Sequence, residues 1–389
     1  MKYNFDNIIN RKNTNSLKYD GLYNIFGKEN LLPLWVADMD FRTCPRIIHK
    51  LNQIIKHGIM GYNIISNNFY KSIINWQKNR HNYFIETNEI FFTTGVVPSI
   101  YYLIEAFSEK NDGVLIQTPV YYPFIKIVKQ AKRKLLINKL IESNNTYSID
   151  FDDFEKKIAE SKIFLLCNPH NPVSRVWKKD ELLKMAEICL ENKVIIISDE
   201  IHSDIVFDKH KHIPIATLSN DIRNMTITCN SASKTFNLAS LKTAYLIIHS
   251  EDLRHRFKKY SQQNIIETPV NLGLEAMSIA YDCCEDWLEE LLNYIYENYL
   301  FLISFLEKEI PFLKCSPLEG TYLAWLDFRQ TGLKNEFIKK HIIEKAGLAL
   351  IDGSIFGAGG EGFQRINIAC PRSILQKALF MLKNSFINN

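Results

Sequence analysis

Seven short apolar runs, separated by stretches with helical periodicity, constrain this chain more than any other feature. They lie at Ile90–Thr94, Gly113–Gln117, Arg133–Asn138, Ile163–Cys167, Val194–Ser198, Met225–Asn230 and Ala244–Ile248. Runs this short and this rich in Ile, Val and Leu suit strands covered on both faces. Between two of them, Lys179–Glu191 puts Leu182, Leu183, Ala186 and Leu190 on one helical face, with Asp180 and Glu181 near the start where a helix favours negative charge. The alternation predicts an α/β fold with a mostly parallel seven-stranded sheet flanked by helices. At 389 residues the chain exceeds what one simple core accommodates. From about residue 312 the pattern changes, after a long helix over Trp287–Glu307. Strand-like Thr321–Asp327 and Gln364–Ala369 bracket a helix near Asn335–Lys345. The expected division is a large domain over 46–286 and a smaller α+β domain made from 1–45 and 287–389.

Composition narrows the partners. The 47 basic and 43 acidic side chains are spread along the chain and leave a net charge of only +4. That balance gives no electrostatic reason to expect nucleic acid or a membrane surface. Met1–Asp6 lacks the apolar core of a secretion signal, and no apolar run is long enough to span a bilayer. The eight cysteines form no C-x-x-C pair, and several sit inside apolar runs. Reduced, buried thiols in a cytoplasmic protein are the expectation.

Chemistry concentrates after the strands. Ser198-Asp199-Glu200 closes one of them, and Ser231-Ala232-Ser233-Lys234 follows another. In an open α/β sheet, ligands sit at strand ends. A lysine desolvated there loses its proton readily and condenses with an aldehyde. A carboxylate one strand away suits the far end of a pyridinium ring. The pair therefore reads as a site for pyridoxal 5′-phosphate, although a Ser-rich turn with a solvated lysine explains the second segment alone equally well.

Other segments are weaker individually. Thr93-Thr94-Gly95-Val96-Val97-Pro98 precedes a helix predicted over Ser99–Phe107, and free N–H groups at such a start cradle phosphate. Asn168-Pro169-His170-Asn171-Pro172 forms a rigid turn after a strand and can present an amide. Tyr121 and Tyr122 offer aromatic faces, but adjacent tyrosines more often simply pack. Asp199 and His202 also have ordinary readings, as a helix cap and a structural histidine. Gly357–Gly362 resembles a dinucleotide loop, yet a strand follows where a helix should. His210 and His212 lack companions for a metal and read as surface residues.

Together these motifs resemble fold-type I pyridoxal phosphate enzymes, and among them the cystathionine β-lyase group of MalY/PatB-type C–S lyases, including cystalysin. The resemblance runs over nearly the whole chain, through Leu34–Phe41, Gly95–Pro98, Pro119–Phe124, Asn168–Pro172, Ser198–His202, Ser233–Asn237, Gly320–Trp325 and Arg365–Pro371. It implies that Lys234 bonds the cofactor aldehyde, Asp199 pairs with the ring nitrogen and Tyr121 stacks on the ring. Asn171 and His202 would lie near the phenolic oxygen, and Gly95, Val96, Val97, Ser231 and Ser233 would gather the phosphate. Arg365, with Tyr121 and Asn171, would hold the substrate carboxylate, while Tyr121 and Tyr122 are candidates for proton donation. Tyr62 matches a residue that reaches the neighbouring subunit's phosphate, so a homodimer with shared active sites follows. The activity implied is α,β-elimination on a sulfur amino acid such as cystathionine, cystine or cysteine. An aminotransferase, or a regulatory protein retaining the scaffold, is the alternative. Ser174 and Ser240 depart from glycines common in the family, and Lys242 stands where related aminotransferases place a phosphate-binding arginine. Segments Asn24–Glu29, Ile265–Pro269 and Asp352–Gly362 are candidates for setting leaving-group preference.

Overall fold

The computed structural model describes residues 2–207, 209–266 and 268–387. All seven apolar runs become strands of one sheet: β1 (Ile90–Thr93), β2 (Gly113–Thr118), β3 (Lys134–Lys139), β4 (Ser161–Cys167), β5 (Ile195–Asp199), β6 (Thr226–Asn230) and β7 (Ala244–Ile248). Their order across the sheet is β1-β7-β6-β5-β4-β2-β3. Only β7 runs antiparallel to its neighbours; the other pairings are parallel.

Alternation along each strand feeds two cores. On β4, Phe164 and Leu166 face a cluster with Trp177, Leu182 and Met185, while Ile163 and Leu165 face Ile100, Leu103 and Ile104. The first cluster takes the buried face of helix Lys179–Glu191, whose bounds match the expected ones. Burying one Leu or Met there contributes about 1.5–3 kcal/mol. The second takes the helix after β1, which begins at Val96 and not at Ser99. Pro98 sits in its first turn, where a missing N–H costs nothing because the helix has no acceptor for it.

Beyond a 25-residue helix, Glu285–Glu309, lies a second sheet of β8 (Lys314–Cys315), β9 (Leu323–Asp327), β10 (Ile351–Asp352) and β11 (Phe363–Asn367), in the order β8-β9-β11-β10. β9 starts two residues later than its sequence pattern because Thr321 has φ 64°, a left-handed conformation that cannot continue a strand. Leu32–Pro33 pairs in parallel with Leu348–Ala349, so the N-terminal segment joins the C-terminal part of the chain. Helices Pro45–His57, Asn67–His81, Glu251–Gln263, Asn271–Cys283 and Arg372–Ile387 are among the remaining elements, and the helix expected near Asn335–Lys345 spans Asn335–Glu344. Among the described residues, no helix is long and apolar enough to cross a membrane.

One surface expectation is corrected. His212 is buried, and its Nε2 donates to the Glu200 carboxylate at 2.9 Å. The polar sequence around it hides this partner, which comes from the loop after β5.

Candidate active site

β5 and β6 are adjacent and in register, with Asp199 opposite Cys229. Asp199 ends β5, and its buried carboxylate accepts the backbone N–H of Ile201 at 3.1 Å. After β6, the single-turn helix Ala232–Thr235 carries Lys234. The Lys234 Nζ donates to the Ala37 carbonyl at 2.7 Å. Between the two side chains lies a cavity of about 280 Å³, lined also by Gly95, Val96, Val97, Tyr121, Asn171, His202, Ser233 and Lys242. A wider cleft of about 1020 Å³, near His81 and Arg223, contains neither Lys234 nor Asp199 and lies apart from this chemistry.

Three loops shape the small cavity. Gly95, with φ 156°, lets the chain leave β1 and enter its helix with N–H groups open to the cavity. The Asn168–Pro172 turn is tied to the loop after β2, because His170 Nε2 donates to the Pro119 carbonyl at 2.8 Å. Beneath it, Ser174 occupies the left-handed region at φ 62°, where glycine would be unstrained, and its hydroxyl donates to the Leu323 carbonyl at 2.5 Å. Ser240 lies in the short helical turn Ala239–Leu241 at a negative φ, so its side chain meets no such strain. The third loop carries Tyr121 on the cavity wall.

Arg365 projects from β11, with Nη1 donating to Asn171 Oδ1 at 3.0 Å and Nη2 to the Trp35 carbonyl at 2.9 Å. Its guanidinium carbon stands 5.1 Å from the centroid of Phe356, within the Asp352–Gly362 segment. Trp35 in turn packs edge-on against Phe26 from the Asn24–Glu29 segment at 5.4 Å. Of the third selectivity segment, Glu267 lies outside the described residues.

Burial sets the charge states. It pushes the Asp199 carboxyl up to about 7, against the pull of the Ile201 N–H and the Lys234 charge. It lowers Lys234 to about 8, helped by Arg365. Arg365 itself falls to about 10 for the same first reason. His202 drops well below an ordinary histidine through burial and then the Lys234 and Arg365 charges, so its ring is neutral. The Tyr121 hydroxyl is raised, chiefly by burial and then by Tyr122.

Not every expected residue reaches the cavity. Ser231, implied at the phosphate by resemblance, is turned away: its hydroxyl donates to the Thr243 carbonyl at 2.6 Å and accepts the Ser233 N–H at 3.0 Å. The resulting helix cap positions Lys234 instead. Tyr122 stands outside the cavity lining, its ring 5.5 Å from Tyr121. Tyr62 is fully exposed, in a surface stretch remote from the cavity of its own chain. Sequence reading also left several supports without a role. Asn237 Nδ2 donates to the carbonyls of Met39 and Phe41 and its Oδ1 accepts the Met39 N–H, which ties the irregular segment that contacts Lys234 through Ala37. The Thr235 hydroxyl donates to Asp204 at 2.7 Å, and His81 Nε2 donates to the same carboxylate at 2.8 Å. Their only sequence signal was a run of hydroxyl and amide side chains beside Lys234.

The donor set fits pyridoxal 5′-phosphate. An amine and a carboxylate face each other across a ring-sized space, Tyr121 supplies a flat wall, and N–H groups end one side. Two buried nitrogens, His202 Nδ1 and Arg365 Nε, have no hydrogen-bond partner among the described residues. Each is available to bond a polar group of a ligand. An open sheet with a buried lysine and a buried carboxylate on neighbouring strand ends defines a fold-type I scaffold for such a cofactor. The chain belongs to the aminotransferase class I and II family, whose model matches residues 29–380. It is 38% identical to cystathionine beta-lyase PatB of Bacillus subtilis (strain 168), over 98% of this chain and 99% of that protein. Protein MalY of Escherichia coli (strain K12) is 34% identical, with 98% of each chain covered. The crystal structure of cystalysin from Treponema denticola, which contains a pyridoxal 5′-phosphate cofactor, superposes with a TM-score of 0.96 at 37% identity and full coverage of both chains.

Proposed function

We propose that this protein is a pyridoxal phosphate-dependent C–S β-lyase that eliminates the thiol from cystathionine, cystine or a cysteine-type substrate, releasing pyruvate and ammonia. The observation that carries the reading is the buried Lys234 amine facing Asp199 across the small cavity, with Arg365 outside its lining but bonded to the lining residue Asn171. When bound, the cofactor draws electron density from the substrate Cα. The residues of the chain do the rest. Arg365 binds the α-carboxylate, since a buried guanidinium with an unpaired Nε favours an anion. Asp199 holds a proton at the ring nitrogen. Lys234, lowered by burial toward neutral pH, takes the Cα proton. Proton delivery to the departing sulfur falls to Lys234 or to Tyr121, with Tyr122 behind it.

Release of pyruvate from cystathionine without an added keto acid tests the reading. A strict requirement for a keto acid would instead make the protein an aminotransferase. The Arg365 role has its own expected outcome. A charge-assisted pair contributes about 1.5–3 kcal/mol, so Arg365→Lys should raise KM about tenfold or more while kcat changes less. Steady-state kinetics on cystathionine read this directly, and an unchanged KM would remove Arg365 from the substrate site.

The proposal extends to assembly. Tyr62 lies among exposed Ile59, Met60 and Ile64, with exposed Ile265 and Val270 as further apolar surface. Apolar exposure of this kind marks protein contact, which supports a homodimer in which Tyr62 serves the neighbouring active site. We assign residues 46–286 to the large domain and 1–45 with 287–389 to the small one, and place the protein in the cytoplasm, where its free thiols stay reduced.

A further inference from the structure

Asn367 ends β11 two residues after Arg365, so the two side chains leave the strand on the same face. Both reach segment 35–41, which belongs to no strand or helix and finds its hydrogen bonds in side chains from elsewhere in the fold. Arg365 Nη2 takes the Trp35 carbonyl. The buried Asn367 amide takes two more: its Nδ2 donates to the Val36 carbonyl at 2.7 Å and to the Asp38 carbonyl at 2.6 Å. Its Oδ1 accepts the Ala369 N–H at 2.8 Å. Both donors and the acceptor are used, so the amide cannot turn over without losing all three bonds.

This fork brackets Ala37. The chain bends over Val36–Asp38, and one amide holds the carbonyls on either side of the residue between them. The Asp38 carbonyl has a further, longer donor in Lys18 Nζ at 3.3 Å, whereas the Val36 carbonyl has none other among the described residues. The Ala37 carbonyl is left to a different pair of donors, Lys234 Nζ at 2.7 Å and the Tyr322 hydroxyl at 2.9 Å. Where that carbonyl stands therefore decides where the Lys234 amine is held, and Asn367 decides where the carbonyl stands.

We propose that Asn367 is a positioning residue for the Lys234 amine, acting through the Ala37 carbonyl that it brackets. An amine with one N–H committed to a fixed carbonyl keeps its lone pair within a narrow set of directions, and a base aimed in this way meets the substrate Cα proton at the same place in every turnover. The inference rests on the reading of Lys234 as the reacting amine. The charged groups that act on Lys234 are Arg365 on β11, Asp38 within the bend and Asp199 at the end of β5, and His202, Tyr121 and Lys242 share the cavity wall with it.

The test reads Lys234 directly in cofactor-free protein, by competitive acetylation with acetic anhydride across a pH series and mass spectrometry of the Lys234 peptide. A carbonyl acceptor favours the ammonium over the amine. Asn367→Leu keeps the bulk and removes both donors, so it should loosen that acceptor and lower the labelling midpoint, with about tenfold more free amine at pH values below it. Tyr322→Phe removes the competing donor to the same carbonyl and should move the midpoint the other way. Asn367→Ser retains a single donor and should give a smaller fall; it decides the matter if Asn367→Leu does not fold. A folded Asn367 variant with a reduced thermal midpoint but the labelling profile of the parent would overturn the proposal, because a purely structural residue behaves in that way. Asn367 and Tyr322 variants that shift in the same direction would overturn it too. With no cofactor or substrate present, the outcome is independent of the lyase reading, which pyruvate release decides.

Discussion

Replacing Lys234 with alanine is expected to lower pyruvate release by about 10⁴-fold or more, the scale seen when a group that acts covalently and as a base is removed. The near-visible absorbance of the bound cofactor should vanish with it. The fold should survive, because the substitution withdraws a buried amine whose charged form burial disfavours. Among the described residues the Lys234 amine has one hydrogen bond, to the Ala37 carbonyl, and that carbonyl keeps a second donor in the Tyr322 hydroxyl at 2.9 Å. A thermal midpoint close to that of the parent, with activity gone, is therefore the expected combination. Partial recovery with a small added amine would separate loss of the base from loss of structure. A variant that keeps both turnover and absorbance would end the assignment of Lys234.

Why the sequence revealed Lys234 and Asp199 but not their surroundings is a matter of distance along the chain. The strands announce themselves locally, since runs such as Ile195–Ser198 and Ile163–Cys167 are apolar on both faces, and a residue at a strand end inherits its position from that run. Supporting contacts obey no such rule. His81 reaches Asp204 across 123 residues and Asn237 reaches Met39 across 198. These side chains are polar in a polar stretch, so nothing local separates them from surface residues. Ser231 shows the converse difficulty. A hydroxyl beside a site lysine suits a phosphate in one dimension, yet in three the start of the Ala232–Thr235 turn claims it as a cap. Family resemblance supplied Arg365, whose place on β11 beside Asn171 no strand pattern encodes. The first turn of the Val96–Phe107 helix was hidden by Pro98, a residue that marks a boundary only when it falls beyond the first turn.

Asp199 carries the second large effect, and its signature is that stability and activity move in opposite directions. Without the carboxylate, no other acid among the described lining residues holds a proton at the ring nitrogen, and His202 is kept neutral by burial and by the Lys234 and Arg365 charges. Asp199→Asn should therefore cut kcat about 10³-fold, the order associated with losing a buried charge aimed at the reacting system. In the protein stripped of cofactor the same substitution should stabilise. The folded-state carboxyl titrates near 7, raised from 3.8 mainly by burial. A group shifted in that direction contributes no penalty below its unfolded value, and stability is lost as pH climbs from about 4 to about 7. Over that whole pH range the penalty accumulates to on the order of 4 kcal/mol. The thermal midpoint of cofactor-free Asp199→Asn should then match the parent near pH 4, exceed it increasingly up to pH 7, and keep a constant lead above that. Midpoints that differ equally at all pH values would show that Asp199 is not a buried titrating group, and unimpaired kcat would take it out of the chemistry.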